Sequence, residues 1–392
     1  MKKNRILMVT TIFSEEAFGG AERLSLDYAT KLSDEIDLTI LTTTSLSYLT
    51  WEPVLNPGEE KKENMNILRF DVKKKRNLRS FNRYYTSLLK KKEVRESDFQ
   101  KFIELQGPFV PELIEYIKNH HSEYDVILFI GYLYYPIVLG LPFCKNKSVC
   151  VLTLHDEPPA YFPIYKELFT DEIFYSFNTP EELDLFEKIF HFTPEKYRII
   201  GTAVEIPDEY LIPYEPKPFP YLLYVGRVDE GKGVYRLIEF FRKWKKQFPS
   251  DFKLIIAGGG ERIESDEEIE SLGFISEKDK FSWMSSAFVL VNPSPMESFS
   301  ITIMESWLMG VPVLVNSESD TMRNHCIRSN GGLYYQSQES FFRTMEFMIS
   351  NKQKRKKMGE NGKRYVTSNY SSSRIKKLLL DLIDEMAGEN RV

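Results

Sequence analysis

Two glutamates, Glu297 and Glu305, lie eight positions apart in the segment NPSPMESFSITIMESWLMGVPV. Between them Ser298, Phe299 and Ser300 open a stretch in which Ile301, Met304 and Leu308 recur at helical spacing. On an unbroken helix the two carboxylates stand up to ~12 Å apart along the axis. Paired-carboxylate hydrolysis needs roughly 5–9.5 Å, so the spacing better fits the two ends of one elongated ligand, with the helix N-terminus taking anionic groups between them. The other reading makes Glu297 a capping acid and Glu305 a surface residue. Upstream, GRVDEGKG places Arg227 and Lys232 five residues apart, between an apolar strand ending at Gly226 and a following helix. Two cations beside the positive end of a helix suit a diphosphate; an ordinary glycine-rich turn with two solvated cations is the alternative. AGGGER, which contains Gly258, repeats the theme more weakly, without the G-x-G-x-x-G spacing or a Walker lysine.

His155 closes the apolar run VCVLTLHDE. Ligands of open α/β sheets gather beyond the carboxyl ends of strands, so this histidine is a candidate for chemistry; a histidine that merely caps a strand is the plain alternative. The other histidines, His120, His121, His191 and His325, form no H-E-x-x-H or other close metal pattern with it.

These residues need strands and helices to hold them. Strand-like runs at Arg5–Thr10, Leu38–Thr42, Asn66–Phe70, Val126–Ile130, Val149–Leu154 and Tyr197–Ile200 alternate with amphipathic stretches, the signal of a parallel α/β sheet. Five prolines then fall within residues 207–220, which neither a helix interior nor a central strand accepts. Beyond them the alternation restarts at Tyr221–Val225, Lys253–Ala257, Phe288–Asn292 and Val311–Val315. Both halves open alike, with a strand, a glycine-bearing loop (Gly19, Gly20; Gly231, Gly233) and a helix. The expected organisation is a first α/β domain over residues 1–206, a linker at 207–220, a second over 221–370, and an amphipathic helix within 371–392 that packs back on the first. At 392 residues, two domains agree with the size at which single cores stop growing.

Composition excludes whole classes. With 42% hydrophobic and 28% charged residues the chain is globular, and a net charge of −5 argues against a dedicated nucleic-acid binder. Three cysteines without a C-x-x-C pair offer neither a disulfide framework nor a zinc ribbon, so a reduced, cytoplasmic setting is expected. The N-terminal apolar run reads as a first buried strand rather than a signal peptide, because Glu15 and Glu16 follow it. No run reaches the ~20 apolar residues of a membrane span.

The motifs YVGRVDEGKG, AGGG, LGFIS and PSPMESFSITIMESWLMGVPV, in this order, resemble those of the retaining glycosyltransferases of family 4, including their E-x7-E pair. The likeness is specific across residues 221–335 and thin before them, where only FGGAE (Phe18–Glu22) and the LHD at Leu154–Asp156 carry it. It implies a GT-B fold, two Rossmann-like α/β domains facing each other across a cleft. By the same resemblance Arg227 and Lys232 bind the diphosphate of a UDP-, GDP-, ADP- or dTDP-linked sugar, near Gly226 and Gly258, while Glu305 holds the ribose. Glu297 contacts the sugar, the amides of Ser298, Phe299, Ser300 and Ile301 lie near sugar and phosphate, and Phe274, Ile275 and Ser276 flank the base. Gly19 and Gly20 belong to the loop that closes over the diphosphate, and His155 touches the transferred sugar. The family usually carries glycine where Ser300 stands. No D-x-D occurs, so no metal or other cofactor is expected, and the cations and helix dipoles must neutralise the leaving group.

The acceptor is expected to be a carbohydrate or a lipid-linked glycan. Val72–Arg95 carries ten Lys/Arg against one acid, with Phe81, Tyr84, Tyr85, Leu88 and Leu89 at helical spacing. Such a helix lies on an anionic membrane surface, peripheral to its inner face, or packs its stripe inward and leaves a solvated basic face. Two rival functions share the scaffold: a nucleotide-sugar 2-epimerase, and a non-catalytic partner subunit.

Overall fold

The computed structural model describes residues 3–16, 19–212 and 214–389. Phe18, the first residue of the FGGAE motif, lies outside them. The chain forms two compact units, Met1–Thr202 with Ser373–Val392, and Ala203–Ser372. The proline-rich stretch at 207–220 therefore folds with the second unit.

Unit 1 is built on an eight-stranded sheet. Its strands are β1 (Arg5–Val9), β2 (Asp37–Thr43), β3 (Gly58–Lys62), β4 (Met65–Phe70), β5 (Val126–Ile130), β6 (Ser148–Val151), β7 (Phe174–Phe177) and β8 (Tyr197–Ile199). They lie in the order β3-β4-β2-β1-β5-β6-β7-β8, parallel except that β3 runs antiparallel to β4. The central strands read as unbroken apolar runs because helices cover both faces of a parallel sheet, and β5 is buried at every position. The helix Ser372–Glu389 belongs here: Ile375, Leu379, Leu382 and Ile383 are buried, and Asn4, Glu35 and Arg198 bond its polar side.

Unit 2 carries six parallel strands: β9 (Tyr221–Val225), β10 (Lys253–Ala257), β11 (Ile269–Gly273), β12 (Val289–Asn292), β13 (Val313–Asn316) and β14 (Gly332–Tyr335). Their order is β11-β10-β9-β12-β13-β14. This is the doubly wound arrangement, in which the winding reverses between the first and fourth strands and opens a crevice outside their carboxyl ends. That switch point falls between β9 and β12, and in unit 1 the corresponding one falls between β1 and β5.

Four strands lack a signal in the sequence. β3 (GEEKK) is almost wholly charged because it is an exposed edge strand, and β7, β11 and β14 are only four or five residues long. One expected strand is shortened: VCVLTLHDE stays in the sheet only to Val151, and His155 stands on the loop beyond it.

The helix Ile301–Leu308 is anchored by Trp307, which is fully buried and donates from Nε1 to the Gly331 carbonyl at 2.8 Å. The helix Lys352–Asn369 crosses it at Gly359 and Gly362; a Cβ on Gly362 would stand 2.1 Å from the Trp307 ring. Gly362→Ala should therefore overpack this contact and cost about 1–3 kcal/mol, read as a lower urea midpoint for unit 2.

Candidate functional site

The loops after β9 and β12 leave neighbouring strands at the switch point of unit 2. In the first, Tyr224 Oη donates to the Arg227 carbonyl at 2.6 Å, and burial raises this phenol so that it stays a neutral donor. The Arg227 guanidinium pairs with Asp229. The other Asp229 oxygen accepts from the Lys232 amide at 2.8 Å and closes the short turn Glu230–Lys232. Gly233 then takes φ +72°, and any Cβ there would stand 2.6 Å from the Pro293 carbonyl. The two loops thus meet backbone to backbone, and Lys232 Nζ reaches Glu297 Oε1 at 2.7 Å.

The second loop corrects the expectation of one helix spanning both glutamates. The helix starts at Ile301, and Ser300 ahead of it is left-handed at φ +68°. That conformation costs an L residue roughly 1–2 kcal/mol, which accounts for the glycine usual in the resembling family. Here the buried Ser300 Oγ accepts from Asn292 Nδ2 at 3.0 Å, a bond that offsets part of the cost. Glu297 lies ahead of the helix and is not its cap, and Glu305 is not a surface residue, being only 2% exposed. Glu305 Oε1 accepts from Lys280 Nζ at 2.9 Å, and the same ammonium donates to Glu277 at 2.8 Å. Each glutamate of the pair therefore has its own lysine, Lys232 from a loop and Lys280 from the helix Glu277–Ser285.

The remaining positions are placed as follows. Gly258, at φ +149°, is packed so tightly on the Gly226 carbonyl that no side chain fits. Phe274 is 66% exposed, Ile275 is half-buried, and Ser276 caps the helix Glu277–Ser285 by accepting from the Asp279 amide at 3.1 Å. Ser298 and Ile301 are half-buried, and Phe299 is buried edge-on against His325 and Tyr370. Sequence reasoning missed Lys280, Asp229, Tyr224 and Asn292. Nothing in EKDK distinguishes Lys280 from its solvated neighbours; only packing buries it.

In unit 1, Gly19 is extended and a Cβ there would overlap the Glu22 carboxylate, whereas Gly20, the first residue of its helix, faces open space. His155 is half-buried and its carbonyl accepts from the Glu157 amide at 2.9 Å. Trp51, Tyr132 and Tyr135 are buried, and Trp51 Nε1 donates to the Gln106 carbonyl.

The basic segment forms a helix only over Leu78–Leu89. Most of its stripe turns inward: Leu88 is buried, and Phe81 and Tyr85 pack on Phe102, while Leu89 stays exposed. Arg76 folds in with it, donating to the Gln106 carbonyl, and burial lowers its guanidinium to about 10. Lys73, Lys75 and Lys91 are paired with acids. Among the described residues Arg79, Arg83, Lys90 and Lys92 have no acidic partner and are exposed beside Leu78, Leu89 and Val94.

Residues 212–365 match the family model described as glycosyl transferases group 1. The chain carries a glycosyltransferase group 1 domain. Arg227, Lys232, Lys280, Glu297 and Glu305 all fall inside this glycosyltransferase domain, and Gly20 and His155 fall outside it. "Glycosyltransferase 1 domain-containing protein 1" of Xenopus tropicalis is 28% identical over 162 residues, covering 38% of this chain and 46% of the relative. The match spans less than half the length of the curated relatives. Sucrose-phosphate synthase of Thermosynechococcus elongatus is similar in structure with a TM-score of 0.70 at 14% identity, over 99% of this chain and 100% of that one. HepE of Anabaena, solved with UDP, gives 0.67 at 15% identity, over 97% and 100%. With the two doubly wound sheets, these likenesses give the glycosyltransferase domain and its partner unit the GT-B fold.

Lys280→Met should leave Glu305 as a buried, uncompensated charge and cost about 3–5 kcal/mol in chemical denaturation. Lys280→Met with Glu305→Gln should cost less than the sum of the two single changes.

Proposed function

We propose that the chain is a retaining glycosyltransferase of family 4, moving a sugar from a nucleotide-diphosphate donor to a hydroxyl acceptor without a metal ion. The observation that carries this reading is the Lys232–Glu297 pair at the switch point of the glycosyltransferase domain, with Arg227 on the same loop. Both cations are held by carboxylates, in partly exposed pairs worth only ~0–1 kcal/mol each. A diphosphate offers each of them a doubly charged partner, and Lys232 leaving Glu297 frees that carboxylate for hydroxyls of the sugar. Glu305 takes the ribose, with the backbone of residues 274–276 beside the base. The HepE structures hold UDP and UDP-glucose, which makes uridine the first base to test.

In the reaction, the bond from the anomeric carbon to the diphosphate oxygen breaks on the face where the acceptor oxygen bonds. The acceptor's proton passes to that departing oxygen. Arg227 and Lys232 stabilise the charge that develops there. Unit 1 supplies His155, assigned to the transferred sugar, and the acceptor surface.

A second assignment concerns location. Arg79, Arg83, Lys90 and Lys92, with the exposed Leu78, Leu89 and Val94, fit an anionic membrane surface at about 1 kcal/mol per basic residue. On this reading the enzyme works peripherally at a membrane, with a lipid-linked or cell-surface glycan as acceptor. Phe81, Tyr85 and Leu88 of the apolar stripe take no part, since they are packed inward. No helix among the described residues is long and apolar enough to cross a membrane.

A thermal-shift screen of UDP, GDP, ADP, dTDP and their sugars tests the donor site, because ligand at 100 Kd adds about 2.7 kcal/mol. Stabilisation by none of them refutes it. Lys232→Ala and Glu297→Ala should each lower turnover by ~10²-fold or more, and EDTA should leave it unchanged. Conversion of the donor sugar to its epimer without any acceptor would identify an epimerase instead. Co-sedimentation with vesicles containing phosphatidylserine should fall when Arg79, Arg83, Lys90 and Lys92 are replaced by Ser, and vesicles of phosphatidylcholine alone should bring down little of either protein.

A further inference from the structure

Glu182 lies in the first turn of the helix Pro180–Phe190 and is almost wholly buried, yet no Lys or Arg pairs with it among the described residues. Burying a carboxylate without a cation is expensive unless N–H donors satisfy it. Here they do. Oε1 accepts from the Leu154 amide at 2.6 Å, and Oε2 accepts from the Asn178 amide at 2.6 Å and from Asn178 Nδ2 at 3.0 Å. Burial pushes the carboxyl up to about 7, with these donors pulling the other way.

The donors come from two loops that leave adjacent strands, β6 and β7. On the β6 side the chain is strained: Thr153 has φ +51°, a region that β-branched residues avoid. Such a conformation costs ~1–3 kcal/mol and persists only where its surroundings over-determine it. Leu154 beyond it is buried, and His155 is the next residue.

We propose that Glu182 is the positioning residue for His155: its carboxylate grips the Leu154 amide, holds Thr153 before it left-handed, and so fixes the point at which His155 leaves the sheet. The inference rests on the assignment of His155 to the transferred sugar. Glutamine at this site keeps the size but turns an amide group toward backbone N–H donors. Alanine removes the grip altogether.

The test uses the full chain at pH 8, with UDP-, GDP-, ADP- and dTDP-glucose as probes and release of glucose or of the nucleoside diphosphate as readout. Nucleotide affinity is measured separately by calorimetry. Glu182→Gln and Glu182→Ala should keep the wild-type nucleotide affinity and the KM for the donor, while kcat falls about tenfold or more, as expected when a reacting group is misplaced. Added to His155→Ala, Glu182→Gln should cost nothing further, because both changes remove one contribution. Unchanged kcat in Glu182→Gln, or losses that multiply with His155→Ala, overturn the proposal. If neither Glu182 variant folds, Asn178→Ala, which removes only the side-chain bond to Oε2, should lower kcat with KM unchanged, and an unaltered kcat refutes the inference. A wild-type chain that binds and cleaves none of the probes removes the transferase reading itself, a result distinct from wild-type turnover unaffected by Glu182.

Discussion

Charge at the carboxyl edge of the unit 2 sheet is the constraint on which the site depends. A parallel sheet sends every loop of one kind to the same edge, so the acids and bases of several loops are forced together. Two carboxylates collect there, and each is matched by a lysine from a different element: Glu297 by Lys232 of the loop after β9, and Glu305 by Lys280 of the helix Glu277–Ser285. The close approach of Gly233 to Pro293 and the left-handed turn at Ser300 are the backbone means by which these partners meet.

The two pairs differ in what they are suited to. Lys232 and Glu297 are 32% and 16% exposed, so their attraction is screened and either partner is available for exchange. Lys280 and Glu305 are 8% and 2% exposed, and separating them leaves a buried charge. One pair is thus free to exchange partners, while the other keeps a carboxylate in place beside the same helix. Asp229 plays the exchangeable part for Arg227 and, through its second oxygen, shapes the loop that carries Lys232.

Unit 1 repeats the architecture with different contents. The segments after β2 and β5 carry aromatic side chains, of which Trp51, Tyr132 and Tyr135 are spent on the core. The basic segment shows the same economy. Phe81 and Tyr85 of its apolar stripe are consumed by packing against Phe102, which leaves the surface to Leu89 and to unpaired Arg and Lys. In Glu182 unit 1 also has a buried anion satisfied by amides alone, which ties two strand-end loops together.

The apolar runs at Val126–Ile130, Tyr221–Val225 and Lys253–Ala257 coincide with strands residue for residue, because the buried positions of parallel strands must be apolar. Arg227, Lys232, Glu297 and Glu305 stood out as candidates because motif order survives in linear sequence, and the fold brings Lys232 onto Glu297. The exposed edge strand β3 was not legible, since its pairing depends on β4 rather than on its own residues. Nor was the burial of Lys280, the break of the helix ahead of Ile301, or the grip of Glu182 on the Leu154 amide, 28 residues away. Sequence by itself determined which residues are apolar enough to build two parallel sheets and which charges sit on the loops between. Only the tertiary structure decided which charge meets which, because ion pairing and strain depend on distance in space, and the crossovers of a parallel sheet separate neighbours in space by dozens of residues along the chain.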